Sequence, residues 1–163
     1  MVSIFDFVIF SLTLHHFGTS FAIKCPQYWT DATQVGLGCL FFDTTNQMDW
    51  PEAQESCKSM ANTGHLVEIF SEEQQSFLVA KAFEIQALTG QSNPWWIGLT
   101  YDLSNEFWIW SYSQTAPNYT SWAYEEPIGV KVSIYALLED VMVWNWYNCP
   151  ISCKINPICQ INQ

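Results

Sequence analysis

The sequence predicts an α+β domain, and three observations carry that prediction. Two segments place apolar residues at helical spacing behind N-terminal capping residues. Several short runs rich in aromatic and branched residues, bounded by Gly, Pro, Asn or Ser, read as strands. Six cysteines all fall after residue 22, an even number that suits a disulfide framework in an oxidising compartment. With 49% hydrophobic residues, 17% aromatic and only 13% charged, the chain has enough apolar material for one core dominated by ring packing.

Residues 1–22 read as a secretory signal. Phe7 to Leu14 is a short apolar run, and Ser20 and Ala22 put small residues where a signal peptidase inspects, so cleavage is expected after Ala22. The segment departs from the usual pattern in carrying Asp6 and no Lys or Arg. A membrane anchor is the rival reading, but the run falls well short of the roughly 20 residues that span a bilayer. Residues 23–163 are expected to form the domain, outside the cell.

Cys25 to Cys39 encloses Trp29 and the flexible Gly36-Leu37-Gly38, and Cys39 to Phe42 reads as a strand. Asp49 with Glu52 gives a capping box, after which Trp50, Ala53, Cys57 and Met60 fall on one helical face. Asn62-Thr63-Gly64 stops that helix, and His65 to Ile69 alternates like a half-buried strand. Ser71 with Gln74 caps a second helix, with Glu72 and Glu73 at its positive end. It should run to about Leu88, burying Phe77, Leu78, Ala82, Ile85 and Leu88, and end at Gly90. Trp95-Trp96-Ile97-Gly98-Leu99 is apolar without alternation, as in a strand covered on both faces, and Gly98 marks a close backbone approach. Phe107 to Trp110 follows across a polar turn, and this hairpin is the predicted centre of the core. Ser111 to Pro127 reads as a long loop containing the glycosylation sequon Asn118-Tyr119-Thr120. Further strands are expected over Ser133–Leu138, Val141–Trp144 and Ile158–Ile161.

Five basic residues against sixteen acidic give a net charge of −11. Such a chain is repelled by phosphate backbones and anionic lipid surfaces, so nucleic acid is a poor partner, and no segment after residue 22 is long and apolar enough to insert across a bilayer. Clustered acids instead suit divalent cations. The turn Asp102 to Glu106 offers one such cluster, although polar residues are ordinary in a hairpin turn. Zinc is disfavoured: Cys149, Cys153 and Cys159 are irregularly spaced, and His65 is the only histidine after residue 22. Catalysis lacks its usual nucleophile–base residues, so the chain is not expected to be an enzyme.

In order along the chain, Cys25-Pro26-Gln27-Tyr28-Trp29, Trp50-Pro51-Glu52-Ala53 with Cys57, Gly64-His65-Leu66-Val67, Trp96-Ile97-Gly98-Leu99, Trp108 to Trp110, Trp122, Glu126-Pro127, Trp144-Asn145 and Ile158-Cys159-Gln160 resemble the C-type lectin-like domain. The resemblance covers nearly all of residues 25 to 160 and is similar to secreted, invertebrate-type lectins. It implies two helices flanking small antiparallel sheets, with a long irregular loop region. It also implies the pairings Cys57–Cys159 and Cys25–Cys39. The family's remaining bridge needs a mid-strand cysteine that this chain lacks, which leaves a local Cys149–Cys153 bridge across Pro150.

Lectins of this family bind sugar hydroxyls through one calcium ion, held by a Glu-Pro-Asn turn and a Trp-Asn-Asp tripeptide. The corresponding residues here are Glu126-Pro127-Ile128 and Trp144-Asn145-Trp146, so Ile128 and Trp146 replace two oxygen donors. Glu126 and Asn145 are the candidate metal ligands, and with Trp146 the candidate sugar contacts; Trp95 and Tyr147 are further rings for stacking. Glu125, Glu139 or Asp140 are substitute donors. The resemblance thus implies binding of glycans or a glycoprotein with calcium dependence weakened or lost. A protein-binding module of the same fold is the alternative.

Overall fold

The computed structural model of the protein describes residues 25–128, 135–139, 144–150 and 152–162. The expected signal over residues 1–22 lies outside the described residues, as do Lys131 to Ser133 and, but for Trp144, the expected strand from Val141. In chain order the elements are β1 (Thr30–Asp31), β2 (Cys39–Phe42), α1 (Trp50–Met60), β3 (His65–Leu66), α2 (Glu72–Thr89), β4 (Trp95–Asp102), β5 (Phe107–Trp110), β6 (Tyr135–Glu139), β7 (Asn145–Cys149) and β8 (Asn156–Ile161).

The fold is α+β, and β4 is its centre. It pairs antiparallel with β5 and β6 and parallel with the start of β8. β8 carries β2 and β3 antiparallel, β1 lies outside β2, and β7 lies outside β6. The seam Trp95–Asn156 and Trp96–Pro157 is parallel and joins two lobes whose other strand-to-strand pairings are antiparallel. Trp95, Trp96, Ile97 and Leu99 are all buried. A Cβ on Gly98 would stand 2.8 Å from the Leu66 carbonyl oxygen, where the Gly98 N–H instead donates to the Val67 carbonyl at 2.8 Å. Only glycine lets β4 approach the chain that closely.

α1 opens with the reciprocal capping box: Asp49 Oδ1 accepts the Glu52 N–H at 3.0 Å and Glu52 Oε2 accepts the Asp49 N–H at 3.1 Å. Trp50, Ala53 and Cys57 are buried, but Met60 is exposed, and Gln54 goes inside instead because its Oε1 accepts the Leu66 N–H. α2 is capped by Ser71 and closes at Gly90 in the left-handed conformation. Its buried positions are Gln75, Leu78 and Ala82; Leu88, expected inside, is 81% exposed. The expected half-burial of His65 to Ile69 also fails, since all five residues are buried between β8 and the Gly98 bend.

Disulfides join Cys25–Cys39, Cys57–Cys159 and Cys149–Cys153. The second ties α1 to β8 across 102 residues, which removes about 4–5 kcal/mol of unfolded-chain entropy in the simple loop model. Trp50 Nε1 donates to the Ile97 carbonyl at 2.9 Å and Trp96 Nε1 to the Met48 carbonyl at 2.8 Å, stitching the entry to α1 onto β4.

Candidate functional site

The irregular segment after β5 returns to the sheet at Trp122, which bridges to Trp146 of β7. The Trp146 N–H donates to the Ser121 carbonyl at 2.8 Å, and the Ala123 N–H donates to the Trp146 carbonyl at 3.0 Å. This docking places the next turn, Glu126-Pro127-Ile128 with its cis Glu126–Pro127 peptide, beside the second half of β7. Glu126 Oε2 accepts the Ile128 N–H at 3.0 Å and, at longer range, the Asn148 N–H at 3.5 Å. The Asn148 carboxamide grips Ile128 from both sides: Nδ2 donates to its carbonyl at 2.6 Å and Oδ1 receives its N–H at 3.3 Å. Tyr124 and Ile128 project from the turn, 91% and 60% exposed.

The two sequence candidates Glu126 and Asn145 are therefore not brought to a common partner. Asn145 Oδ1 accepts from Ser121 Oγ at 3.4 Å, three residues along β7 from Asn148, on the order of 10 Å. The residue that meets Glu126 is Asn148, which sequence reading missed. Trp144 and Trp146 stand two apart, so the pattern fits two registers of one strand, and only the docking of Trp122 on Trp146 selects one. The clue in the sequence was Trp146-Tyr147-Asn148, a second Trp followed by an oxygen donor two residues later.

Trp146 is corrected as a sugar contact. It is completely buried, packs edge-to-face against Trp110, Tyr119 and Trp122, and donates its indole N–H to Gln75 Oε1 at 2.9 Å. Its whole ring is used by the core and none faces solvent. Trp95 is likewise buried, so it stacks on no ligand. Gln75 also donates Nε2 to the Trp144 carbonyl at 2.8 Å, which fixes the start of β7 to α2. Trp144 needs that support because its φ is +54°, a region that bulky residues seldom adopt.

Elsewhere the polar clusters are spent on structure. Asp102 accepts the Ser104 and Asn105 N–H groups and the Asn105 amide, closing the β4–β5 turn. Beneath a cleft of about 480 Å³, the buried Glu68 carboxylate holds the Tyr112 N–H at 2.7 Å and the Ser113 N–H at 3.0 Å. His65 donates Nδ1–H to the Thr63 carbonyl and stacks on Tyr112 with centroids 3.8 Å apart. Burial pushes the His65 pKa below its ordinary value, against the Thr63 carbonyl, Glu68 and Gln160, which favour the cation.

The Lectin C-type domain model matches residues 46–160. The chain belongs to the C-type lectin domain family. It is 30% identical over 133 residues to a type-2 ice-structuring protein of Hemitripterus americanus, covering 80% of this chain and 72% of that one. Its fold is similar to that of the C-type lectin CEL-I from Cucumaria echinata, with a TM-score of 0.72 at 21% identity over 85% of this chain and 98% of the other. It is also similar to a calcium-independent type II antifreeze protein, with a TM-score of 0.69 at 22% identity over 85% and 95% of the two chains. The family is one of binding modules.

C-type lectins often bind calcium, and the residues present here fit it poorly. A hard cation of that size takes about six to eight oxygens. The turn offers Glu126 and Asn148, whose Oε2 and Oδ1 already accept the Ile128 N–H, while Ile128 contributes no side-chain donor. Among the described residues, no three acidic, histidine or cysteine side chains converge as a metal-holding group. The side chains of Glu139 and Asp140 lie outside the described residues.

Proposed function

We propose that this chain is a secreted carbohydrate-recognition module whose sugar binding has weakened or lost its calcium dependence. The observation that carries the reading is the Glu126-Pro127-Ile128 turn itself, kept beside β7 with its supporting bonds. Glu126 Oε1 has no partner among the described residues, so it is open to a sugar hydroxyl, and Tyr124, two residues earlier in the chain, is 91% exposed. A carboxylate acceptor and an exposed flat ring on one turn suit the hydroxyl edge and the C–H face of a pyranose. Direct hydrogen bonding then does the work that a bridging cation does in metal-dependent relatives. Three disulfides favour an extracellular location, and no described helix is long and apolar enough to cross a membrane. Binding without turnover is the expected activity, and Asn118, exposed on the long loop, is the expected glycosylation site.

A glycan array probed with and without chelator tests the reading. Glycan binding that persists in chelator supports it; binding abolished by chelator refutes the lost dependence, and a blank array refutes the lectin function. A protein-binding module is the second reading, favoured by one observation: the apolar Ile128, 60% exposed, stands where the family places an oxygen donor. A blank array together with a protein ligand whose capture is lost in Ile128→Asp would establish it.

A further inference from the structure

We propose a second saccharide seat, independent of the Glu126 turn and of any metal, in the groove between α2 and the start of β7. This inference rests on the glycan-binding reading above and assigns it a place. The groove holds about 450 Å³, within the range of small-ligand sites. Its walls are Glu72 and Phe83 from α2, Tyr119 and Ser121 from the long loop, and Asn145 from β7, over a floor formed by Gln75.

The chemistry of those walls is that of a neutral pyranoside site. Phe83 offers a ring 46% exposed, braced edge-to-face on Trp144 at 5.9 Å, and such a platform suits the C–H face of a sugar. Tyr119 is braced the same way on Trp146 at 5.9 Å. Asn145 uses only Oδ1, toward Ser121 Oγ at 3.4 Å, so its two Nδ2–H donors are unspent among the described residues. The Glu72 carboxylate adds an acceptor at the rim. The floor does not compete for the ligand, because both ends of the buried Gln75 amide are engaged, with the Trp144 carbonyl and the Trp146 indole. These same bonds fix the backbone from which Asn145 projects, so the donor is held in place before any sugar arrives. The groove contains no Lys, and its one charge is negative, which selects neutral glycans over sulfated or phosphorylated ones.

The test titrates a panel of neutral methyl pyranosides into the whole domain with chelator present, by calorimetry and by following the Asn145 side-chain amide signals in NMR spectra. The expected result is binding of at least one glycoside that shifts the Asn145 amide. Phe83→Ala and Asn145→Ala should each weaken that binding about tenfold, the loss of one stacked ring or one hydrogen-bond pair. Phe83→Tyr should retain it, and Leu88→Ala, on the exposed end of the same helix, should match the parent. Binding that leaves the Asn145 amide unmoved, or that survives both groove substitutions, overturns the seat while leaving the glycan reading intact. No binding in the panel together with a blank array overturns both. Near-UV circular dichroism of each variant, matching that of the parent, separates lost contacts from lost folding.

Discussion

The two lobes that meet at the β4–β8 seam are held by different forces. In the lobe of β1, β2, β3, β8 and α1, covalent bridges and buried polar bonds dominate. Cys57–Cys159 and Cys25–Cys39 cross it, and buried Gln160 accepts the Glu68 N–H at 3.1 Å. In the lobe of β4 to β7 with the long loop, the packing is ring on ring: Trp108 lies against Trp122 at 4.8 Å, and Trp110, Tyr119 and Trp122 all turn their edges to Trp146. The indole N–H groups of Trp95, Trp108, Trp110 and Trp144 are buried there with no partner among the described residues. The contrast shows how the fold divides its tasks. A lobe fixed mainly by bonds of strict geometry supports one fixed mainly by ring packing, with the Cys149–Cys153 bridge and the Gln75 bonds pinning β7, and the second carries both candidate binding surfaces.

Breaking the first lobe should have the largest effect. Cys57→Ala combined with Cys159→Ala should cost about 4–5 kcal/mol from the long loop it releases, read from the midpoint of denaturant unfolding, and a loss under about 1 kcal/mol would show that the bridge does not organise the lobe. Breaking the second lobe at its hub should cost slightly less. Trp146→Ala should destabilise by about 3–5 kcal/mol as a large core ring is removed, and should also perturb α2, because Gln75 loses its indole partner. Hydrogen exchange along α2 reads this out; protection unchanged at Gln75 and its neighbours would mean that the two elements are not coupled through that bond.

The smallest effect is one of pH and sharpens the polar side of the comparison. Burial, against smaller opposing contributions from the Thr63 carbonyl, Glu68 and Gln160, sets the folded His65 pKa below the ordinary 6.5. Above that value both folded and unfolded chains hold the ring neutral, and no stability is at stake. As pH falls below it, the unfolded chain takes up the proton first, so stability declines. Thermal melts between pH 6.5 and the carboxylate range near ~4 should therefore fall in the parent and fall less in His65→Gln. Identical slopes would show that this histidine does not resist protonation.

The Glu126-Pro127-Ile128 turn was visible in the sequence, but not which residue of β7 lies beside it. Glu126-Pro127 was recognisable as a turn of the family, and Asn145 as its candidate ligand partner. What the structure does not bring together is Glu126 with Asn145, taken from the match of Trp144-Asn145-Trp146 to the family's Trp-Asn-Asp tripeptide. A strand with tryptophans two residues apart has the same alternation in either reading, and the difference lies in which indole reaches Trp122 and Gln75 from elsewhere in the chain. The misplacement of Met60 and Leu88 has a similar origin. Helical periodicity identifies a face, but how many turns of that face find a neighbour depends on where the sheet ends.

By itself the sequence determined what depends on nearest neighbours and on composition: the capped starts of both helices, the continuous apolar run of β4 with its glycine, and the cysteine count. These follow from capping, alternation and steric demand, which act over a few residues. Only the tertiary structure decided that Asn148 rather than Asn145 meets Glu126, that Trp146 is core, and that Asn145 meets Ser121 of the long loop. Each is a contact between segments some 20 to 70 residues apart, chosen by which ring fills the space between β5, the long loop and α2, and close packing of that kind leaves no trace in local pattern.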